Sequence, residues 1–322
     1  MRSLRWAGLL ALYIGAQSVG LVLADPFRAA GLTSSSNPQS PTSPIFIIAI
    51  IVIAPIFILL LARQRGGLAA LRQVILLAIS GALFITLTAT LGVAWPATYL
   101  LPPYAAEIVV VPAIIVGATV SAVLYLTLLM EPQWYIVDLV GFLAAGALVA
   151  ILGISFAILP AFILLIALMV YDAIAVYRTK HMVSLADVVT EMKLPILMVM
   201  PDAPGFDYPV AAPLREQRAR PVEERSALFM GLGDIVIPGT LVVSAFVWLP
   251  DHPVWLGLGA SLWVALGAML GSLFGYAALM RLVARGNPQA GLPFLNGGAI
   301  AGYILVYLVA FHSATLGLTA AI

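Results

Sequence analysis

The sequence is dominated by long apolar stretches, and nine of them are long enough to cross a lipid bilayer. A transmembrane helix needs about 20 consecutive, predominantly apolar residues to span the hydrocarbon core. Short polar segments separate the nine stretches, which are residues 5–24, 44–62, 68–93, 105–129, 134–153, 156–177, 226–249, 254–284 and 297–319. The chain is therefore predicted to be an all-α membrane protein with nine transmembrane helices.

The scarcity of charge supports a membrane location and excludes several other classes of protein. Only 9% of the residues are charged, whereas about 25% are charged in a typical soluble domain. The net charge of +1 offers no attraction for nucleic acid, so no nucleic-acid partner is expected. The chain has no cysteine and its three histidines are scattered, so neither a metal site nor a cofactor is predicted.

The basic residues indicate the orientation of the chain in the membrane. If all nine stretches span the bilayer, 14 of the 15 Lys and Arg residues fall on one side, and only Arg28 falls on the other. The positive-inside rule makes the richer side cytoplasmic. We therefore predict a multi-pass protein of the cell membrane, with its N-terminus in the cytoplasm and its C-terminus outside.

The first apolar stretch has a second interpretation as a secretory signal. Arg2 and Arg5 precede it, and Ala24 ends it. Its apolar run of about 18 residues is longer than the roughly 7–15 residues of a usual signal core. We therefore favour an uncleaved span.

The spans and loops divide the chain into two parts. Residues 1–153 contain five predicted spans and form an N-terminal helical scaffold, while residues 154–322 contain spans six to nine and the candidate catalytic site. A cytoplasmic loop, residues 178–225, separates the sixth and seventh spans and begins with a short amphipathic helix. An apolar run at residues 194–200 follows, and a proline-rich irregular segment completes the loop.

The eighth predicted span carries glycine at every fourth position, at Gly267, Gly271 and Gly275. Small residues at this spacing allow the backbones of two helices to approach closely. We interpret them as helix packing within the fold rather than as a dimer contact.

Two acidic residues lie inside predicted spans, Asp172 in the sixth and Asp234 in the seventh. A charged side chain in hydrocarbon is energetically costly and marks a functional candidate. Counting from Arg178 and Arg225 at about 1.5 Å per residue places both carboxyls roughly 9–14 Å from the cytoplasmic edge. Because their depths match and one loop joins the two spans, the carboxyls can face each other.

Two facing carboxyls of this kind predict a catalytic dyad. Like charges at short range split their titration, so that one group is ionised while the other keeps its proton. The ionised group can take a proton from water while the protonated group polarises a carbonyl, as in aspartic proteases. Asp172 and Asp234 therefore predict hydrolysis without a metal ion or a covalent intermediate.

The residues around Asp234 are typical of a site that is open to water and substrate. Gly231 and Gly233 carry no side chain and allow another backbone to come close. Pro238 cannot donate a backbone hydrogen bond to the carbonyl of Asp234, which loosens the helix there. Irregular backbone at membrane depth is tolerated only against protein or a water-filled cavity, and hydrolysis needs such a cavity.

Two short motifs resemble those of a known family. Tyr171-Asp172 matches the YD motif, and the segment from Gly231 through Gly233 to Asp234 matches the GxGD motif, of the presenilin and signal peptide peptidase family of intramembrane aspartyl proteases. The resemblance extends over essentially the whole chain and is closest to the microbial presenilin homologues. It implies a presenilin-like fold and an intramembrane aspartic endopeptidase. Its substrates would be transmembrane helical proteins or peptides, and no obligate partner subunit is indicated.

A third family motif, PAL, has an altered counterpart before the last span. Leu292 and Pro293 fit the motif, whereas Ala290 stands where the family has proline and Gly291 where it has alanine. By resemblance, this segment lies beside the dyad and positions the substrate. The resemblance also implies that the substrate pairs as a strand near the site, and residues 194–200 are a candidate edge for such pairing.

Other interpretations stay open beside this one. Tyr171 is equally consistent with a supporting hydrogen bond and with plain packing, and Asp138 is expected at the membrane interface. Paired intramembrane aspartates also build the ion sites of proton- or cation-coupled transporters, which is the main alternative function. A prepilin-peptidase-type protease also uses GxGD, but that family usually has a lysine soon after the motif, where Ile235 stands here.

Overall fold

The structure is a computed structural model that describes residues 2–94, 107–179, 181–202, 206–208, 226–283 and 289–318. Within these residues the chain forms α-helices and one two-stranded sheet. In chain order the elements are α1 (Arg2–Ala29), α2 (Ser43–Ala62), α3 (Gly67–Ala94), α4 (Glu107–Met130), α5 (Trp134–Ser155), α6 (Ile158–Ala173), α7 (His181–Glu191), β1 (Leu197–Pro201), β2 (Ala227–Gly231), α8 (Leu232–Trp248), α9 (Ala260–Val283) and α10 (Leu292–Phe311). A π-helical turn, Ile174–Arg178, continues α6.

Eight helices in the described part of the chain are long and apolar enough to cross a membrane, counting α6 together with its π-helical turn. They are α1 to α6, α9 and α10, and each coincides with a predicted span. Helices α2, α3 and α4 bury few of their side chains inside the protein, whereas α5 buries most of its own. Because apolar side chains that are not buried must face lipid, α2, α3 and α4 form the periphery and α5 belongs to the core.

The prediction of one continuous helix over residues 226–249 is wrong at its start. Residues Ala227–Gly231 form β2, which pairs antiparallel with β1, and α8 begins only at Leu232. Helix α8 therefore has 17 residues. An apolar run of this kind does not reveal by itself whether it forms a buried strand or a helix, and here β1 supplies the backbone partners.

The last helix begins earlier than predicted. The sequence placed the span at residues 297–319, but α10 runs from Leu292 to Phe311. Pro293 lies in the first turn of α10, where its missing N–H removes no helical hydrogen bond. His312 adopts the left-handed conformation, with φ 48°, and so ends the helix.

Helix α8 lies at the centre of the protein and contacts α1, α5, α6, α9 and α10. Every residue from 235 to 245 is buried. Close packing here requires small residues, because a Cβ on Gly153 of α5 would overlap the side chain of Val243. The helix that carries Asp234 is thus surrounded by other helices rather than by lipid.

Glycines bring α9 and α10 into backbone contact. A Cβ on Gly271 would overlap backbone atoms of Gly298 and Gly302, and a Cβ on Gly275 would overlap the backbone of Phe294. A Cβ on Gly267 would overlap the side chain of Val306 on α10. The prediction that these glycines pack helices within the fold is confirmed. The contact also fixes where α10 begins.

The α9–α10 contact can be tested with adjacent glycines of α10. We expect Gly298→Ala to destabilise the protein by about 1–3 kcal/mol, because its Cβ would overlap the backbone carbonyl of Gly271, which no side-chain rotation relieves. Gly297→Ala is the matched control, since its Cβ would meet no atom within 4 Å. Thermal unfolding of the purified protein in detergent measures both. Equal unfolding temperatures for the two variants would contradict the tight contact.

Candidate active site

Asp172 lies one residue before the end of α6, directly ahead of the π-helical turn. Its side chain is buried, with 7% of its surface exposed. The carboxyl oxygen Oδ2 accepts a hydrogen bond from the backbone N–H of Leu292, at 3.0 Å. The first residue of α10 therefore holds the carboxyl of α6 in place.

Asp234 lies in the first turn of α8, three residues after Gly231, which ends β2 and precedes the helix. The sequence placed it well inside a span, but it sits at a strand-to-helix junction. The N-terminus of a helix carries a partial positive charge and unpaired N–H groups, both of which favour a carboxylate. The fold thus compensates part of the cost of a charge at this depth.

The segment before α10 touches both aspartates. A Cβ on Gly291 would lie 2.9 Å from Oδ1 of Asp234, while the next backbone N–H, of Leu292, binds Asp172. The carboxyls also lie within range of each other's charge. The structure therefore brings Asp172, Asp234, Gly291 and Leu292 together.

The rest of the PAL-like segment is anchored by a residue that the sequence did not reveal. The hydroxyl of Tyr177, in the π-helical turn, donates to Oε1 of Gln289 at 2.9 Å and accepts from the N–H of Ala290 at 3.2 Å. Ala290 is fully buried, and Pro293 follows in the first turn of α10. Because Asp172 lies just before the same π-helical turn, the end of α6 and this turn together contact the segment twice. Tyr177 and Ala290 are 113 positions apart in the sequence, and no local pattern indicates that they are in contact.

The other predicted site residues are the two glycines of the GxGD motif, which lie less tightly against Asp234 than Gly291 does, together with Pro238 and Tyr171. A Cβ on Gly231 would lie 3.5 Å from Oδ2 of Asp234, an ordinary contact, and a Cβ on Gly233 would meet nothing within 4 Å. Pro238 is buried inside α8. Tyr171 is half-buried beside Asp172, and its supporting role stays a prediction.

Buried polar side chains lie close to the Asp234 end of α8. Tyr13 and Gln17 are on one face of α1, and Tyr276 on α9 stacks near Tyr13 with ring centroids 5.7 Å apart. Within the described residues, neither tyrosine hydroxyl nor the Gln17 amide makes a hydrogen bond of standard geometry, although Gln17 and Ser272 lie close enough to interact with the Tyr13 hydroxyl. Gln17 also packs on α8, where a Cβ on Gly239 would lie 3.2 Å from its Cγ. This cluster can hydrogen-bond water in the protein interior.

Asp138 was expected at the membrane interface, and the structure shows that its side chain is covered by protein there rather than exposed. Its side chain is 6% exposed, and its Oδ1 accepts a hydrogen bond from the backbone N–H of Val199 at 2.6 Å. Position near the end of a span suggested solvent, but β1 folds back against α5 and covers the carboxyl. In the part of the chain that the structure describes, no cluster of His, Cys, Asp and Glu is suited to hold a metal ion.

Comparisons with known proteins agree with this geometry. The sequence profile of the family described as signal-peptide peptidase, presenilin aspartyl protease matches residues 10–312. The chain belongs to this family. Two solved structures of a presenilin-family intramembrane aspartate protease, in space groups C222 and P2, are each 33% identical to it. The alignments cover 94% of this chain, with 99% and 97% of the solved chains and TM-scores of 0.61 and 0.59. No curated protein sequence matches it.

Family membership confirms the enzyme class predicted from the YD and GxGD motifs. The protein is a multi-pass membrane protein and an aspartic endopeptidase of the intramembrane-cleaving kind. The transporter interpretation of the acid pair has no such support.

The contact between Gly291 and Asp234 predicts a graded effect of side-chain size. Gly291→Ala requires only the Asp234 carboxyl to shift by a few tenths of an ångström, so we expect cleavage within about tenfold of the wild type. The bulk of Gly291→Val displaces that carboxyl further, and a misplacement of about 1 Å reduces turnover about 100-fold. Gly297→Val, in open space on the same helix, is the control. Cleavage of a transmembrane peptide measures all three, and wild-type activity of Gly291→Val would contradict the placement.

Proposed function

We propose that the protein hydrolyses peptide bonds within transmembrane helical substrates, with Asp172 and Asp234 as the catalytic dyad and water as the nucleophile. One observation carries this proposal. The Gly291–Leu292 backbone contacts both carboxyls, and it binds one of them through a hydrogen bond of 3.0 Å. Side chains from α6 and α8 are thereby held at one point inside an apolar protein.

The proposed chemistry starts with one proton shared by the two carboxyls. The ionised carboxylate takes a proton from water, whose oxygen attacks the carbonyl carbon of the scissile bond. The other carboxyl gives its proton to the carbonyl oxygen, and a tetrahedral diol forms. The diol then loses a hydroxyl proton to the dyad while the amide nitrogen gains one, and the C–N bond breaks. The products are a new carboxyl end and a new amino end, and the dyad again holds one proton.

Water must reach the dyad for this reaction. The cluster of Tyr13, Gln17 and Tyr276 offers two hydroxyls and an amide that are buried near the Asp234 end of α8. Buried polar atoms of this kind are usually satisfied by ordered water. We infer that the cluster holds water close to Asp234.

We propose that a substrate strand pairs with β2 rather than with the predicted run at residues 194–200. The N–H of Leu232 donates to the carbonyl of Ile196, and the N–H of Asp202 donates to the carbonyl of Ser226. Along an antiparallel strand, the backbone groups of successive residues point alternately toward and away from the partner strand, so the N–H of Val199 points away from β2. The edge of β1 that faces away from β2 lies against α5 and is the inner edge of the sheet. In the described part of the chain β2 pairs with β1 alone, and its outer edge leads directly to Asp234.

The orientation and the location of the protein complete the proposal. With α8 crossing the membrane as a ninth, short span, the N-terminus lies in the cytoplasm, the C-terminus lies outside, and the sheet and α7 lie on the cytoplasmic side. We propose the cell membrane as the location. The division into a scaffold of residues 1–153 and a catalytic part of residues 154–322 also stays a prediction.

The dyad is tested by conservative substitution of each carboxyl. We expect Asp172→Asn and Asp234→Asn each to abolish cleavage of a transmembrane peptide by the purified protein, because an amide cannot share or transfer the proton. Asp25→Asn, which changes an exposed carboxylate on α1, is the matched control and should cleave normally. Fragments are detected by mass spectrometry. Retained cleavage by either site variant would exclude the dyad.

The β2 edge is tested at Phe229, whose N–H points away from β1 by the same alternation. Phe229→Pro removes this N–H without breaking a bond of the sheet, and proline is tolerated at such an edge. We expect it to raise KM at least tenfold for a transmembrane peptide. Phe229→Leu keeps the N–H and controls for loss of the ring. An equal KM for both variants would rule out pairing at this edge.

A further inference from the structure

Asp138 is a second buried carboxylate, and the proposed reaction makes no use of it. It lies in the second turn of α5, and its Oδ1 binds the N–H of Val199 in the middle of β1. Because Val199 faces away from β2, this is a bond that a third strand would otherwise make. The carboxyl therefore occupies the inner edge of the sheet.

The same face of α5 holds the backbone that leads into β1. A Cβ on Gly141, three residues after Asp138, would lie 3.3 Å from the carbonyl oxygen of Pro195 and 3.5 Å from the side chain of Leu232. The helix thus contacts the start of β1 and the first residue of α8 within one turn. Displacement of β1 along α5 would move both.

The hydroxyl of Tyr208 is the candidate donor for the second oxygen of Asp138. Within the described residues, Oδ2 of Asp138 and the hydroxyl of Tyr208 are both buried without a hydrogen-bond partner, and the two groups lie within electrostatic reach. Burial raises the pKa of Tyr208 above its ordinary value, and the charge of Asp138 raises it further, so the hydroxyl keeps its proton and stays a donor. The ammonium of Lys193 lies 4.4 Å from the centre of the Tyr208 ring. These contacts attach the loop residues 206–208 to the same point.

We propose that Asp138 is a positioning residue, which binds the inner edge of β1 and is completed by Tyr208, so that β2 presents its outer edge to the substrate beside Asp234. This inference rests on the proposed function, because it assigns the sheet to substrate docking. A carboxylate suits the task better than a neutral acceptor, since it binds the Val199 N–H through one oxygen and keeps its second oxygen free to accept a proton donor such as Tyr208.

The prediction separates docking from chemistry. Asp138→Ala leaves the Val199 N–H buried and unpaired, so we expect KM for a transmembrane peptide to rise at least tenfold, with kcat within about threefold of the wild type. Asp138→Asn keeps an acceptor oxygen for Val199 and should restore most of the KM. Hydrogen exchange of the Val199 amide should be faster in Asp138→Ala than in Asp138→Asn.

The experiment uses the purified full chain in detergent and measures kcat, KM and hydrogen exchange for the wild type, Asp138→Ala, Asp138→Asn and Tyr208→Phe. We expect Tyr208→Phe, which keeps the ring, to raise KM and to speed exchange at Val199. This variant carries the test if Asp138→Ala does not fold. Equal effects of the Ala and Asn variants, a fall in kcat at constant KM, or unchanged KM and exchange in Tyr208→Phe would overturn the proposal. Failure of the dyad itself appears separately, as cleavage that survives Asp172→Asn, while exchange at Val199 still reports on Asp138.

Discussion

The structure depends on holding two carboxyls next to each other inside an apolar protein. A charge in such surroundings is stable only when neighbouring polar groups replace the water that it has lost. Here the replacement is mostly backbone. The N–H of Leu292 binds Asp172, and Asp234 lies in the first turn of α8, where the helix N-terminus favours a negative charge. Gly291 lies against the second carboxyl without a side chain to push it away. Backbone donors carry no charge of their own, which suits the proposed sharing of one proton by the pair.

The surrounding helices serve this arrangement by fixing three backbone positions. The start of α10 is set by its contact with α9, where Gly271 meets Gly298 backbone to backbone. The end of α6 is tied to the same place through Tyr177 and Ala290. The start of α8 is set by β2, and β2 is set by β1, which α5 holds. The start of α10, the end of α6 and the start of α8 are therefore positioned by separate contacts, and a single substitution can alter each contact.

Features that depend on neighbouring residues in the chain were predicted from the sequence, whereas contacts between residues far apart in the chain were not. Asp172 and Asp234 were singled out because a carboxylate in an apolar run is visible without knowing its neighbours, and segment length predicted the eight long apolar helices of the described residues. The strand at residues 227–231 was read as helix, because an apolar run has the same composition in either form. The burial of Asp138 was not predicted because its partner, the N–H of Val199, is 61 residues away. Tyr177 was overlooked for the same reason.

The structure also bears on the two glycines of the GxGD motif. Gly231 has φ −69° and ψ 140°, a conformation open to any residue, and a Cβ there would make only an ordinary contact with Asp234. A Cβ on Gly233 would meet nothing within 4 Å. Neither the backbone conformation nor the packing of this structure therefore requires glycine at these two positions. A requirement for glycine at these positions would therefore come from a second backbone that packs against the strand-to-helix junction. The proposed substrate strand on the outer edge of β2 would supply such a backbone. Loss of cleavage without loss of stability in Gly233→Ala is the result expected on this argument.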